Sequence, residues 1–233
     1  MSAIFKREFK SYFCTPVGYI VVAALYFFLG LYFSMIYRYG SPNIEMVIIS
    51  MSTVVIFVMP IITMRLMSED RRQKVDQALL TAPVSLTSVV LGKFFAALAV
   101  FAVGFLPTVI FEIIILSKVS VNILTYLYAL LGILLLGSAL IAIGMFISST
   151  TESSVVSAIL TLIVNILVLY MSSFAQMVSV NWIAKIFEKA AFISVFESFG
   201  ESVFSVPNVI YFLSITAAFL FLCVRSLEKR RWS

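Results

Sequence analysis

Six apolar runs, each long enough to cross a lipid bilayer, dictate what this chain can fold into: Val17–Tyr37, Met46–Met67, Phe94–Ser117, Ile123–Ile147, Ser154–Ser172 and Val206–Val224. A helical crossing takes roughly 20 apolar residues, and hydrocarbon offers no partner to an unpaired backbone N–H or C=O, so each run must satisfy its own backbone as a helix. The sequence therefore predicts an all-α integral membrane protein of six transmembrane helices, forming a single membrane domain over residues 1–233. Composition agrees: 62% of residues are hydrophobic and 12% charged, against about 45–50% and about 25% in soluble domains. The first run follows a basic N-terminus as a signal peptide would, yet it extends to Tyr37 without a small-x-small cleavage site, and we expect it to be retained.

With six crossings both termini share one side, and the intervening loops can be sorted. Lys6, Arg7, Lys10, Arg65, Arg71, Arg72, Lys74, Lys93, Arg225, Lys229, Arg230 and Arg231 fall on the terminus side, and Arg38, Lys118, Lys185 and Lys189 on the other: 12 and 4 of the 16 basic residues. Cytoplasmic loops carry the excess of Lys and Arg, so both termini are expected in the cytoplasm and the protein in the plasma (inner) membrane. The net charge of +5 then reads as a set of topology signals at span ends, with no nucleic-acid face. The two cysteines, Cys14 and Cys223, lie near ends placed on the reducing side, where a disulfide framework is not expected. The chain has no histidine, which excludes His-based catalysis and His-containing metal sites.

Two segments are amphipathic without spanning. In residues 1–16, Phe5, Phe9, Tyr12 and Phe13 recur at helical spacing while Lys6, Arg7 and Lys10 point elsewhere. This is the pattern of a basic helix lying on an anionic leaflet, or of a basic anchor flanking the first span. Within the outer loop 173–205, Trp182, Ile183, Ile186, Phe187 and Ala190 alternate with Lys185, Glu188 and Lys189, which predicts a short interfacial or re-entrant helical element. Between spans two and three lies a charged island, the loop 68–93. There Ser68 is placed to cap a helix, Glu69 and Asp70 sit in its first turn where negative charge suits the dipole, Val75, Ala78, Leu79 and Ala82 form an apolar stripe, and Pro83 ends it. Such a helix can slot into a groove on a soluble partner; the alternative is a solvated loop laced with ion pairs.

Three stretches resemble the permease subunits of the ABC type 2 transporter family, particularly its gliding-motility-like branch. FKREFKSYFCTPVGYI near the N-terminus resembles the family's interfacial helix and its entry into the first span. The run Glu69–Arg72, then ALLTAPVS and VLGKF, resembles the loop that forms the coupling helix. FESFGESVFSVPNVIYFLS with VRSLEKRRWS resembles the last outer segment, sixth span and basic tail. This chain departs from common family usage with Lys74-Val75, Asp76 and Ser202. The resemblance implies a membrane-spanning subunit of an ATP-driven transporter, an exporter, working as a dimer with a second copy or a paralogue, and open to an auxiliary envelope subunit. It implies that a separate cytoplasmic ATPase binds ATP and Mg and contacts Glu69, Asp70, Arg71, Arg72, Val75, Asp76 and Leu79, with no cofactor in this chain. Consistent with that division, Gly92-Lys93 only superficially resembles a phosphate loop, since position 87 is Thr and Phe94 follows the lysine. A different reading is an ATPase-linked scaffold that passes conformational change to envelope or motility machinery without moving solute.

Polar groups inside spans mark candidate pathway residues. Ser154, Ala158, Thr161 and Asn165 form a small and polar stripe that either packs on another helix or lines a cavity. Tyr19 and Tyr26, with Phe33, repeat at seven-residue intervals on one face of the first span, suited to an amphiphilic substrate or to helix packing. Glu112 reads as a proton-linked or pairing group or, the favoured expectation, as a carboxylate that reaches the outer headgroups, and Pro60 and Pro107 are expected to kink spans two and three.

Overall fold

The computed structural model describes residues 1–38, 43–72, 85–118, 122–173, 191–200 and 205–231. Helix α1 (Ser2–Cys14) precedes α2 (Pro16–Arg38), α3 (Ile44–Thr63), the short α4 (Ser68–Arg72), α5 (Leu86–Val103), α6 (Pro107–Leu116), α7 (Ile123–Thr150), α8 (Ser154–Leu169), α9 (Phe192–Glu197) with a 3-10 turn at Ser198–Gly200, and α10 (Val206–Arg231). Among the described residues five segments are long and apolar enough to cross a membrane: Pro16–Arg38, Ile44–Arg72, Leu86–Leu116, Ile123–Thr150 and Val206–Lys229. The fifth expected span, carried by α8, has 16 residues and falls short of that length.

Apolar periodicity sets which helices are central. The spans containing α3 and α7 are 67% buried, whereas those of α2 and α10 are 17% and 22% buried. Helix α7 packs against α3, α5, α8 and α10 and forms the axis of the bundle. Its glycines make this possible. A methyl group on Gly137 would stand 2.2 Å from Phe101 Cε1, and one on Gly144 would stand 2.3 Å from Thr63 Oγ1, so the neighbouring helices occupy the space where side chains would be.

The two prolines act differently. Pro60 sits inside α3 and the helix continues past it to Thr63, while the third span breaks at Gly104–Leu106 and restarts with Pro107 at the first position of α6. Proline lacks the N–H that the first helical turn leaves unpaired anyway, so Pro107 begins a helix more readily than it bends one. At the same end, Phe192, Phe196 and Phe199 of α9 and its 3-10 turn are buried against the bundle, so this part of the 173–205 loop tucks into the core. The segment 182–190 lies outside the described residues.

Candidate functional site

The charges of the described chain gather at the end of the bundle where α1, the α3–α4 turn, the start of α5 and the α7–α8 turn meet. At its centre is Lys93, on the second turn of α5 and 1% exposed. Its Nζ donates to the Leu66 carbonyl at 2.7 Å and lies 2.8 Å from Asp70 Oδ2 and 3.3 Å from Glu8 Oε1. An ammonium has three N–H donors, and three acceptors from three separate elements receive them. Burial of a lone ammonium costs several kcal/mol, so a lysine holds this position only when paired and fully hydrogen-bonded.

The acceptors are fixed in turn. Arg7 Nη2 and Nε reach the same Glu8 Oε1 at 2.6 and 3.2 Å, and that hydrogen bond raises the Arg7 guanidinium above its usual range. One turn along α1, the buried Tyr12 hydroxyl donates to the Ile62 carbonyl at 2.7 Å. Desolvation pushes its phenol far above the usual range, which keeps it a hydrogen-bond donor across the physiological pH range. Between α1 and the start of α4 lies a cavity of about 350 Å³ lined by Arg7, Glu8, Tyr12, Arg65, Asp70 and Lys93, among others.

On its other side α4 is held by the α7–α8 turn. Ser148 Oγ accepts from the backbone N–H groups of Met67 and Ser68 at 3.2 and 3.0 Å and donates to the Met64 carbonyl at 3.2 Å. This corrects the expectation that Ser68 caps the helix. Ser68 is the first residue of α4, fully buried, with its hydroxyl donating back to the Met64 carbonyl and 3.1 Å from Ser154 Oγ; the donors at the helix start are satisfied from α7 instead. Arg71 donates to the Thr150 carbonyl at 2.9 Å and pairs with Glu152 at 2.9 Å.

Of the residues expected to meet an ATPase, Asp70 and Arg71 are thus tied into the bundle, Glu69 is half-buried beside the cavity and Arg72 is exposed. Val75, Asp76 and Leu79 lie outside the described residues. Phe5, Phe9 and Phe13 form a ladder along α1 with ring centroids 5.9 and 5.2 Å apart, continued to Tyr19 at 5.7 Å. Tyr19 is otherwise exposed, and Tyr26 reaches across to donate to the Val103 carbonyl at 3.1 Å. In α8, Ser157, Thr161 and Asn165 are fully buried and Ser154 is half-buried; Asn165 Nδ2 donates to the Ile56 carbonyl of α3 at 3.1 Å. The oxygens of Ser157, Thr161 and Asn165 have no hydrogen-bond partner.

The sequence reading missed Glu8, Lys93, Ser148 and Glu152 as functional residues. The one signal for Lys93 was a lone cation at the edge of a run with aromatic residues on its far side, and for Glu8 a lone acid in a basic segment. Apolar helices of spanning length, joined at one end by a charged foot, define a multi-pass membrane protein. The chain belongs to the ABC-2 family transporter proteins, whose family model matches residues 10–168, more than half of its length, from α1 into α8. It is a membrane permease subunit, and membership implies partnership with an ABC ATPase and dimerisation. No curated protein matches the chain.

Replacing Lys93 by Met leaves Glu8 and Asp70 without their shared cation, and we expect a loss of about 3–5 kcal/mol, the usual cost of breaking a buried pair. Thermal unfolding of the purified chain in detergent reads this as a lower melting temperature, partly restored when Asp70→Asn is added. An unchanged melting temperature in Lys93→Met would exclude the foot as a structural hub.

Proposed function

We propose that this chain is the membrane half of an ATP-driven exporter, moved by a separate cytoplasmic ATPase through the island that starts at α4. The observation that supports this reading is the double anchoring of α4: a force on the loop beyond Arg72 reaches α1 and α5 through Asp70 and Lys93, and α7 and α8 through Arg71, Glu152 and Ser148. ATP and Mg belong to the partner. In this proposal Glu69–Arg72 with Val75, Asp76 and Leu79 form the contact, and the functional unit is a dimer with a second copy or a paralogue. Val75→Glu combined with Leu79→Glu should abolish co-purification with the cognate ATPase while leaving membrane insertion intact; undiminished co-purification rejects the contact.

The proposed orientation has six crossings, with α8 as the shortest, both termini in the cytoplasm and the protein in the plasma membrane. Helix α8 with its 16 residues spans about 24 Å at 1.5 Å per residue, close to the roughly 30 Å hydrocarbon core. With Cys14 and Cys223 replaced, a single cysteine at Ser117 should react in intact cells with an impermeant thiol reagent, and one at Lys229 should not. Labelling at both positions would mean an odd number of crossings, and labelling at Lys229 alone would invert the orientation.

The pathway role of Ser154, Thr161, Asn165, Tyr19 and Tyr26 is part of the same proposal. Within one protomer the α8 stripe faces α3, so substrate reaches it only when α3 and α8 part. Asn165→Leu should then change substrate-stimulated ATP turnover of the assembled complex at nearly constant melting temperature. A lower melting temperature with normal turnover per assembled dimer would make the stripe a packing contact, at about the 0.6 kcal/mol average of hydrogen bonds between membrane helices.

A further inference from the structure

The end of the bundle opposite the foot holds an acid for which the coupling role has no use. Glu112, in α6, is 4% exposed, and both its carboxyl oxygens are buried with no hydrogen-bond partner among the described residues. This overturns the expectation that it reaches the headgroups. The side chain is turned into the protein, where the elements packed on α6 are α2 and α3. Helix α3 contributes a second acid, Glu45, in its first turn and 7% exposed. Helix α2 contributes Phe33, stacked on Phe111 at 4.2 Å; its one charged residue, Arg38, is exposed at its end. Helix α7 contributes Tyr126, whose hydroxyl is 3.1 Å from Thr108 Oγ1, one turn before Glu112. Lys118, beyond α6, is exposed, and among the described residues neither it nor Arg38 forms an ion pair.

An ionised carboxylate removed from water needs hydrogen-bond donors or a cation, and a second carboxylate nearby makes the charge less favourable still. Among the described residues Glu112 has neither of the first two, and α3, packed on α6, carries a second acid. A neutral carboxylic acid meets none of these penalties. We propose that Glu112 is a proton-binding site inside the membrane-spanning region: it holds a proton while α3 and α6 are together, and releases it when they part and water enters. Opening of this end of the bundle is then linked to proton release. The site is independent of which substrate the permease carries and of the ATPase contact.

Infrared spectroscopy of the full chain in nanodiscs near neutral pH tests it. The wild type should show the C=O stretch of a protonated carboxyl, shifted by deuteration, and Glu112→Gln should lose it while Glu228→Gln, altered at an exposed ion pair, keeps it. Dicyclohexylcarbodiimide, which attacks protonated carboxyl groups in apolar surroundings, should leave an adduct that peptide mass spectrometry maps to Glu112 of the unmutated protein, so the result does not depend on a variant that folds. Absence of the band, its persistence in Glu112→Gln, or an adduct on Glu45 in place of Glu112 each overturns the proposal. Protection from the reagent by sodium or calcium ions at constant pH also overturns it, in favour of a cation as the occupant of the site.

Discussion

A single buried ammonium governs how the rest of this molecule can be arranged. Lys93 lies on the second turn of the apolar helix α5, and its charge is stable there only because Glu8, Asp70 and the Leu66 carbonyl converge on it from α1, α4 and the turn after α3. None of these elements can be withdrawn without stranding a charge or a donor away from water. Lysine suits the position better than arginine would: a compact ammonium on a flexible stem accepts three partners from three directions, whereas a planar guanidinium favours partners lying in its own plane. The foot is therefore one joined body, in which α1, α4 and the start of α5 share a cation.

That body is connected to a bundle with little freedom to absorb its displacement. Helix α7 has no side chain at Gly137 and Gly144, and Phe101 and Thr63 fill those spaces from α5 and α3. Interdigitation of this kind makes helices slide or separate as units, because a packed contact has no intermediate spacing of low energy. Helices α2 and α10, by contrast, keep broad apolar faces such as Ile20, Phe27, Ile210, Leu213 and Phe221 exposed. In a membrane those faces meet lipid or another subunit, as the dimerisation implied by the family requires.

Five of the six expected spans were legible because they follow from a solvent argument that needs no tertiary information: a long apolar run in lipid must be helical wherever its neighbours lie. An interruption of the third span at Pro107 was legible too, being local, though the expected kink is a break and restart. What was not legible depended on partners far apart in sequence. Lys93 was read as a topology charge, since nothing near it announces Glu8 or Asp70. The donors at the start of α4 are capped by Ser148, 80 residues away, while the serine in the right local place, Ser68, bonds elsewhere. Tyr12 grouped with Phe9 and Phe13 by periodicity, yet its hydroxyl is bound to Ile62 across the α1–α3 contact. Glu112 was assigned to the headgroups because its distance from the end of the run allows it; which face of α6 turns toward α3 is a tertiary fact.

These contacts also identify the element through which the two ends of the bundle communicate. Helix α3 runs 20 residues, about 30 Å, and is engaged at three heights. At the foot, Ile62 accepts from Tyr12 and Leu66, just beyond, from Lys93; near the middle, Ile56 accepts from Asn165; toward the far end, α3 packs on α6, which carries Glu112. Pro60, between the Ile62 and Ile56 contacts, has no N–H to give the Ile56 carbonyl, which accepts from Asn165 of α8 instead. A shift of the foot by a fraction of a helical turn would misalign Ile56 with Asn165 and move Glu45 relative to Glu112.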